Sequence, residues 1–205
     1  MTIDQIMRMA PVIPVLVLDE GGVDPVALAE TLVEAGLPVI EVTLRTPGAL
    51  RAMRAMASVT GAVVGAGTVL NPAMLGAAIK GGARFIVSPG LTEPLGRAAI
   101  ASGVPYLPGV ATAADIMRGL DLGLDRFKFF PAQTAGGLPA LKALAGPFGA
   151  VRFCPTGGVR EDSAAEWLAH PSVLCVGGSW LVRGGVSDLA DVAVLARRAA
   201  ALSPA

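Results

Sequence analysis

Eight short apolar runs, rich in β-branched residues, recur along the chain at 13–18, 38–44, 62–67, 84–87, 105–108, 126–130, 151–154 and 173–176. Their starts lie roughly 21–25 residues apart, the length of one strand, one helix and two short loops. Few folds accept that rhythm. Parallel strands need a crossover connection, usually a helix, and the segments between the runs read as helices. Asp24-Pro25 offers an N-cap followed by a first-turn proline, and Asn71-Pro72 repeats the device. Thr112 and Asp162 are further cap candidates, while Gly36, Gly82 and Gly103 sit where helices should stop. The runs are apolar nearly throughout rather than alternating, which suits a parallel sheet covered by helices. This pattern predicts an α/β chain forming one closed (β/α)8 TIM barrel over residues 1–205, near the lower size limit of that fold. An open doubly wound sheet is the rival, but no GxGxxG fingerprint follows the first run. Residues 1–10 read as a short helix closing the barrel bottom. With no linker, charge block or low-complexity segment, a single domain is expected.

Titratable bases are scarce. The 16 basic and 16 acidic residues cancel, so no net field advertises nucleic acid or an anionic membrane. His170 is the one histidine, which excludes a metal centre built on two or three histidines within one chain; no metal or cofactor is expected. Cys154 and Cys175 lie in apolar runs and read as buried thiols. The first residues lack a basic region leading into an apolar stretch and cleavage site, and Pro, Gly or charge breaks every apolar run short of a membrane span. A cytoplasmic protein is the expectation.

Two charges stand where charges are costly. Glu41 is embedded in the second run and Lys128 in the sixth, within Phe127-Lys128-Phe129. Arg84, Arg126 and Arg152 lie nearer the starts of their runs. In a barrel, alternate strand residues point inward and reactive groups cluster toward strand C-terminal ends. An isolated buried charge must pair or change its protonation. One reading is a core salt bridge between Glu41 and Lys128, a poor route to stability. The other is an amine nucleophile and a carboxylate proton carrier sharing one pocket, since a lysine in an apolar site can attack a carbonyl and form a Schiff base. Lys80 and Lys142 fall on predicted helices and read as surface residues, and Trp167 and His170 read as structural.

Paired glycines follow the last two runs, in Pro155-Thr156-Gly157-Gly158-Val159 and Val176-Gly177-Gly178-Ser179-Trp180. Strand ends seven and eight of a barrel form its recurrent phosphate cradle, where bare backbone N–H groups approach the anion. Arg45, at the end of the second run, can fork onto a carboxylate. Gly65-Ala66-Gly67-Thr68 ends the third run and offers a hydroxyl and a close backbone, whereas Ser88-Pro89-Gly90 and Leu107-Pro108-Gly109 also fit plain turn chemistry.

Taken together, Glu41-Val42-Thr43-Leu44-Arg45-Thr46, Gly65-Ala66-Gly67-Thr68-Val69, Ser88-Pro89-Gly90, Phe127-Lys128-Phe129-Phe130-Pro131-Ala132, Pro155-Thr156-Gly157-Gly158-Val159 and Val176-Gly177-Gly178-Ser179-Trp180-Leu181 resemble the 2-keto-3-deoxy-6-phosphogluconate aldolase family, also called bifunctional 4-hydroxy-2-oxoglutarate aldolase. The similarity runs from about Pro11 to Arg183. It implies a class I aldolase on a (β/α)8 barrel, a homotrimer, acting on a phosphorylated 2-keto-3-deoxy sugar acid in the Entner–Doudoroff pathway and releasing pyruvate. Lys128 would be the Schiff-base lysine and Glu41 the proton acceptor and donor. Arg45 and Thr68 would bind the pyruvyl carboxylate, with Pro89 shaping that pocket and Phe130 among the substrate-binding residues. Thr156 would contact substrate near the stereocentre, and Gly157, Gly158, Gly178 and Ser179 would hold the phosphate. Gln133 stands where the family pattern leads one to expect an acidic residue, which bears on rim contacts rather than on the chemistry.

Three alternatives stay open. One is an aldolase for the galactonate-derived epimer, a relative that tends to carry valine at the position of Thr156. Another is a phosphosugar isomerase or synthase of similar barrel type, with a carboxylate base and no essential lysine. The third is a non-catalytic phosphate-binding barrel in which Lys128 merely neutralises Glu41.

Overall fold

The computed structural model describes residues 1–182 and 188–204. Its strands are β1 (Val12–Leu16), β2 (Val39–Thr43), β3 (Val63–Gly67), β4 (Ile86–Val87), β5 (Tyr106–Leu107), β6 (Gly109–Val110), β7 (Arg126–Phe129), β8 (Arg152–Pro155) and β9 (Val176–Gly178). The helices are α1 (Ile3–Met7), α2 (Pro25–Glu34), α3 (Ala49–Met56), α4 (Pro72–Lys80), α5 (Glu93–Ser102), α6 (Ala113–Asp121), α7 (Gly137–Ala145), α8 (Glu161–Leu168) and α9 (Leu189–Ala200). Strand and helix alternate as the spacing of apolar runs requires, except that β5 and β6 are consecutive. None of the described helices is long and apolar enough to cross a membrane.

Every strand pairing is parallel. Six strands form a curled sheet in the order β5-β4-β3-β2-β1-β9, and three form a second sheet in the order β6-β7-β8. Isolated bridges join Phe153 to Val173 and Thr156 to Gly177, linking the flanks of β8 and β9. The fifth predicted run, 105–108, becomes two short strands because Pro108 lies between them and has no N–H to give a ladder. The last strand begins three residues later than the apolar run at 173–176, because Val176, Gly177 and Gly178 are the residues that register against Val12, Ile13 and Pro14.

The helix ends follow local chemistry. Asp24 accepts from the Val26 amide at 3.1 Å and Asn71 from the Met74 amide at 2.9 Å, each with proline opening the helix behind it. Thr112 and Asp115 form a reciprocal capping box on α6. The expected cap at Asp162 is displaced: α8 starts from Arg160, and Asp162 lies in the first turn, hydrogen-bonded to the Arg160 guanidinium at 3.1 Å.

Two apolar cores result among the described residues. The larger lies between the sheets and the helices. The smaller gathers Ile13, Val39, Val63, Phe85, Val87, Leu107, Cys154, Leu174 and Cys175 on the concave side, where Ile6 and Met7 of α1 complete it. The N-terminal helix thus plugs the end of the curl at which the strands begin, as expected of residues 1–10. Burying such side chains contributes roughly 1.5–3 kcal/mol each. Glu41 lies two residues beyond Val39, and Lys128 registers against Cys154. Side chains two apart, and register partners, share a face, so both charges point to the concave side, above this apolar plug.

Candidate active site

Lys128 and Glu41 meet. The Lys128 ammonium Nζ donates to Glu41 Oε1 at 3.0 Å and Oε2 at 3.3 Å, across 87 residues of sequence. Both residues are buried, with 5% and 3% of their surface exposed. The Phe130 ring, half-buried at the end of β7, has its centroid 5.3 Å from Nζ, close enough for a cation–π contact. Lys80 and Lys142 are exposed on α4 and α7, so of the chain's lysines only Lys128 faces this interior.

Beside the pair, the chain leaves β2 and β3 through Arg45 and Thr68. Arg45 Nε donates to Thr68 Oγ1 at 3.1 Å. Among the described residues no carboxylate pairs with Arg45, which is exposed. Thr68 has φ +58°, a left-handed conformation that is an outlier for a β-branched residue. Such strain persists only where the surroundings enforce it, and it concentrates at binding sites.

Pro89 follows β4 in a turn locked from two sides. Ser88 Oγ donates to the Gly90 carbonyl at 2.6 Å and lies 2.6 Å from the Tyr106 hydroxyl. Burial, opposed by the Ser88 hydrogen bond, pushes the Tyr106 phenol up to about 12, so it stays a neutral hydrogen-bonding group. The bare Cα of Gly109 admits this turn, since a Cβ there would lie 2.7 Å from Gly90 N and closer to the Pro89 carbonyl. Gly109 is itself the register partner of Lys128.

The two glycine pairs come together at the ends of β8 and β9, joined through the Thr156–Gly177 bridge. Gly157 and Gly158 both have positive φ, +95° and +80°, the left-handed region that favours glycine. Gly157 borders the Phe130 ring, Gly178 is buried against Trp180, and Ser179 is exposed. Thr156 is buried, with Oγ1 3.3 Å from the Cys154 carbonyl and 3.8 Å from the Cys154 thiol. The neighbouring Cys154 thiol and complete burial push the Cys175 thiol well above the ordinary range.

The sequence profile of the family described as KDPG and KHG aldolase matches residues 3–197. The chain belongs to this aldolase family. It is 58% identical over 203 residues to the 2-dehydro-3-deoxy-phosphogluconate aldolase of Zymomonas mobilis, covering 99% of this chain and 97% of that protein. The crystal structure of a Zymomonas mobilis 2-keto-3-deoxy-6-phospho-gluconate aldolase superposes with a TM-score of 0.97 at 57% identity, over 100% of this chain and 99% of the other. The KDPG aldolase of Legionella pneumophila, whose structure holds pyruvate captured as a covalent carbinolamine intermediate, superposes at 0.94 with 40% identity, over 98% of this chain and 99% of that one.

Within this aldolase chain, the candidate site residues lie between the middle of a strand and the turn just beyond its C-terminal end. The departure at Gln133 is a rim feature: its amide donates to the Gly157 carbonyl at 2.9 Å, and its side-chain stem faces the bare Cα of Gly158. Trp167 is buried 6.4 Å from the Phe129 ring, and His170 Nδ1 accepts from the Ser172 amide, both outside the site. Sequence reasoning missed Tyr106, Gly109 and Gly177 as supports for the site. The signal for Gly177 is its place opposite Thr156: a Cβ there would come within 2.7 Å of Thr156 Cγ2 and closer still to its hydroxyl.

Proposed function

We propose that this chain is a class I aldolase that cleaves 2-dehydro-3-deoxy-6-phospho-D-gluconate to pyruvate and D-glyceraldehyde 3-phosphate. The observation that carries the reading is the buried Lys128–Glu41 pair, 3.0 Å apart between β7 and β2, beside an arginine with no carboxylate partner among the described residues. A proton passed from Nζ to Glu41 leaves a neutral amine, which attacks the C2 ketone. The resulting carbinolamine loses its hydroxyl as water when Glu41 returns that proton, giving an iminium. The iminium draws electrons as the C3–C4 bond breaks. Glu41, through a water, takes the C4 hydroxyl proton, and glyceraldehyde 3-phosphate leaves. Protonation of the enamine at C3 and hydrolysis release pyruvate and restore the lysine. The carbinolamine of pyruvate held by the Legionella pneumophila relative is the chemistry this sequence of steps begins with.

Arg45 and Thr68 are the proposed carboxylate anchor, with Pro89 and Phe130 walling the pocket. Gly157, Gly158, Gly178 and Ser179 are the proposed phosphate cradle. Fixing both ends of the substrate sets C2 over the amine. Thr156 supports the gluconate over the galactonate epimer. The smaller 4-hydroxy-2-oxoglutarate, which would not engage the cradle, is a second substrate of the same proposal. So are one eight-stranded barrel domain over residues 1–205, a homotrimeric assembly and a cytoplasmic setting. The barrel is supported by the split of one predicted strand at Pro108 and by the bridges between the flanks of β8 and β9; the trimer and the compartment rest on family resemblance.

The decisive test is borohydride reduction in the presence of pyruvate, followed by peptide mapping. A reduced pyruvate adduct on Lys128 is expected; no adduct, or one on Lys142, sinks the mechanism. Arg45→Lys should leave that adduct intact at saturating pyruvate while raising KM about 10- to 100-fold, the worth of a charged hydrogen bond. An unchanged KM would remove Arg45 from the carboxylate site.

A further inference from the structure

Both inward-facing positions at the end of β3, Gly65 and Gly67, lack a side chain. Neither is among the glycines with positive φ, so backbone freedom does not explain them. Space does. A Cβ on Gly65 would lie 2.5 Å from the Phe85 ring, which fills the concave core one layer below. A Cβ on Gly67 would lie 2.7 Å from Glu41 Cγ and 2.8 Å from Cδ, and closer still to Oε1. Ordinary carbon–carbon contact is roughly 3.5–4.0 Å. The Glu41 carboxylate therefore rests on the bare Cα of Gly67 while it faces Lys128 Nζ.

We propose that Gly67 is a positioning residue: its missing side chain is the volume that holds the Glu41 carboxylate against Lys128. The inference rests on the proposed function in taking Glu41 as the proton carrier for Lys128. β3 cannot move aside to absorb a methyl group, because Gly67 is in register with Thr43 of β2 and the neighbouring Ala66 with Ile86 of β4. What gives is the far end of Glu41, which must rotate away from Nζ. A displacement of about 1 Å at a reacting group can cost on the order of 100-fold in rate.

The experiment is a double-mutant cycle of Gly67→Ala and Glu41→Ala. It is read by the steady-state kinetics of cleavage, by the rate of the borohydride-trapped pyruvate adduct, and by the melting temperature. Gly67→Ala alone should lower kcat about 100-fold, with a smaller change in KM. In the Glu41→Ala background the same methyl should change cleavage, adduct rate and melting temperature little, because nothing is left to displace. An equal loss in both backgrounds, or no loss in either, overturns the proposal. Should Gly67→Ala fail to fold, a folded double variant supports the clash with Glu41, and an unfolded one assigns Gly67 to the fold and overturns it. The wild-type adduct on Lys128 is scored separately. Its absence defeats the proposed function, while the melting-temperature cycle still reports whether Gly67 seats Glu41.

Discussion

Replacing Lys128 with methionine is expected to abolish cleavage and the trapped pyruvate adduct while leaving a folded protein. Methionine keeps much of the stem's volume but has no amine, so no iminium forms and the C3–C4 bond has no electron sink. Removing a covalent nucleophile typically costs on the order of 10^4- to 10^6-fold in kcat. The same change leaves the Glu41 carboxylate buried without its cation. Breaking a buried pair on one side destabilises by about 3–5 kcal/mol, against a total stability of about 5–15 kcal/mol. A lowered melting temperature should therefore accompany the loss of activity, and the two effects need separating. Glu41→Leu added to Lys128→Met replaces the whole pair with apolar groups, a substitution that is often neutral or stabilising. The double variant should regain melting temperature and none of the activity. If recovered stability restored cleavage, Lys128 would be a structural partner of Glu41 and not the nucleophile.

The parallel α/β arrangement was legible because strands covered on both faces must be apolar nearly throughout, and parallel neighbours need a helix to connect them. Strand ends were less legible, since a ladder is set by its neighbours. Ile86–Val87 is all that counts as β4, yet the Arg84 amide donates to the Val64 carbonyl at 2.8 Å and the Phe85 carbonyl accepts from the Ala66 amide at 3.0 Å. The pairing continues where the paired segment is too short to be counted as strand. Gly177 and Gly178 lie beyond the eighth apolar run and become strand because Ile13 and Pro14 lie opposite them. The N-cap at Asp162 was misjudged because Arg160, with no short polar side chain to advertise a cap, takes that place.

The site divides along similar lines. Glu41 and Lys128 stood out because a charge within an apolar strand needs a partner, and each was the other's best candidate. What sequence could not supply was the shape around them. A glycine that makes room and a glycine that makes a turn are the same letter. Gly157 and Gly158 have positive φ, whereas Gly65 and Gly67 serve as space for Phe85 and Glu41. Tyr106 was hidden for another reason: its role comes from a hydroxyl contact to Ser88 across adjacent strands, which no spacing rule encodes.

Replacing Glu41 with glutamine should slow every proton transfer, imine formation included, while leaving the Lys128 amine in place. The carboxamide has nearly the carboxylate's shape, can sit in the same recess over Gly67, and offers one oxygen to Nζ, but it cannot take up and return a proton. Loss of a general acid–base group costs about 10^2- to 10^4-fold, so cleavage should fall by that much while pyruvate remains trappable on Lys128 by borohydride. The sharper readout is exchange of the pyruvate methyl hydrogens with solvent deuterium, followed by NMR. That exchange needs a Schiff base at Lys128 and a group that moves a proton at C3, and it requires neither the phosphate cradle nor C–C bond cleavage. In the glutamine variant, exchange should fall with cleavage although the adduct still forms, more slowly, on long incubation. Exchange at the wild-type rate would show that another group, or solvent alone, handles the proton at C3, and would reduce Glu41 to a counter-charge for Lys128.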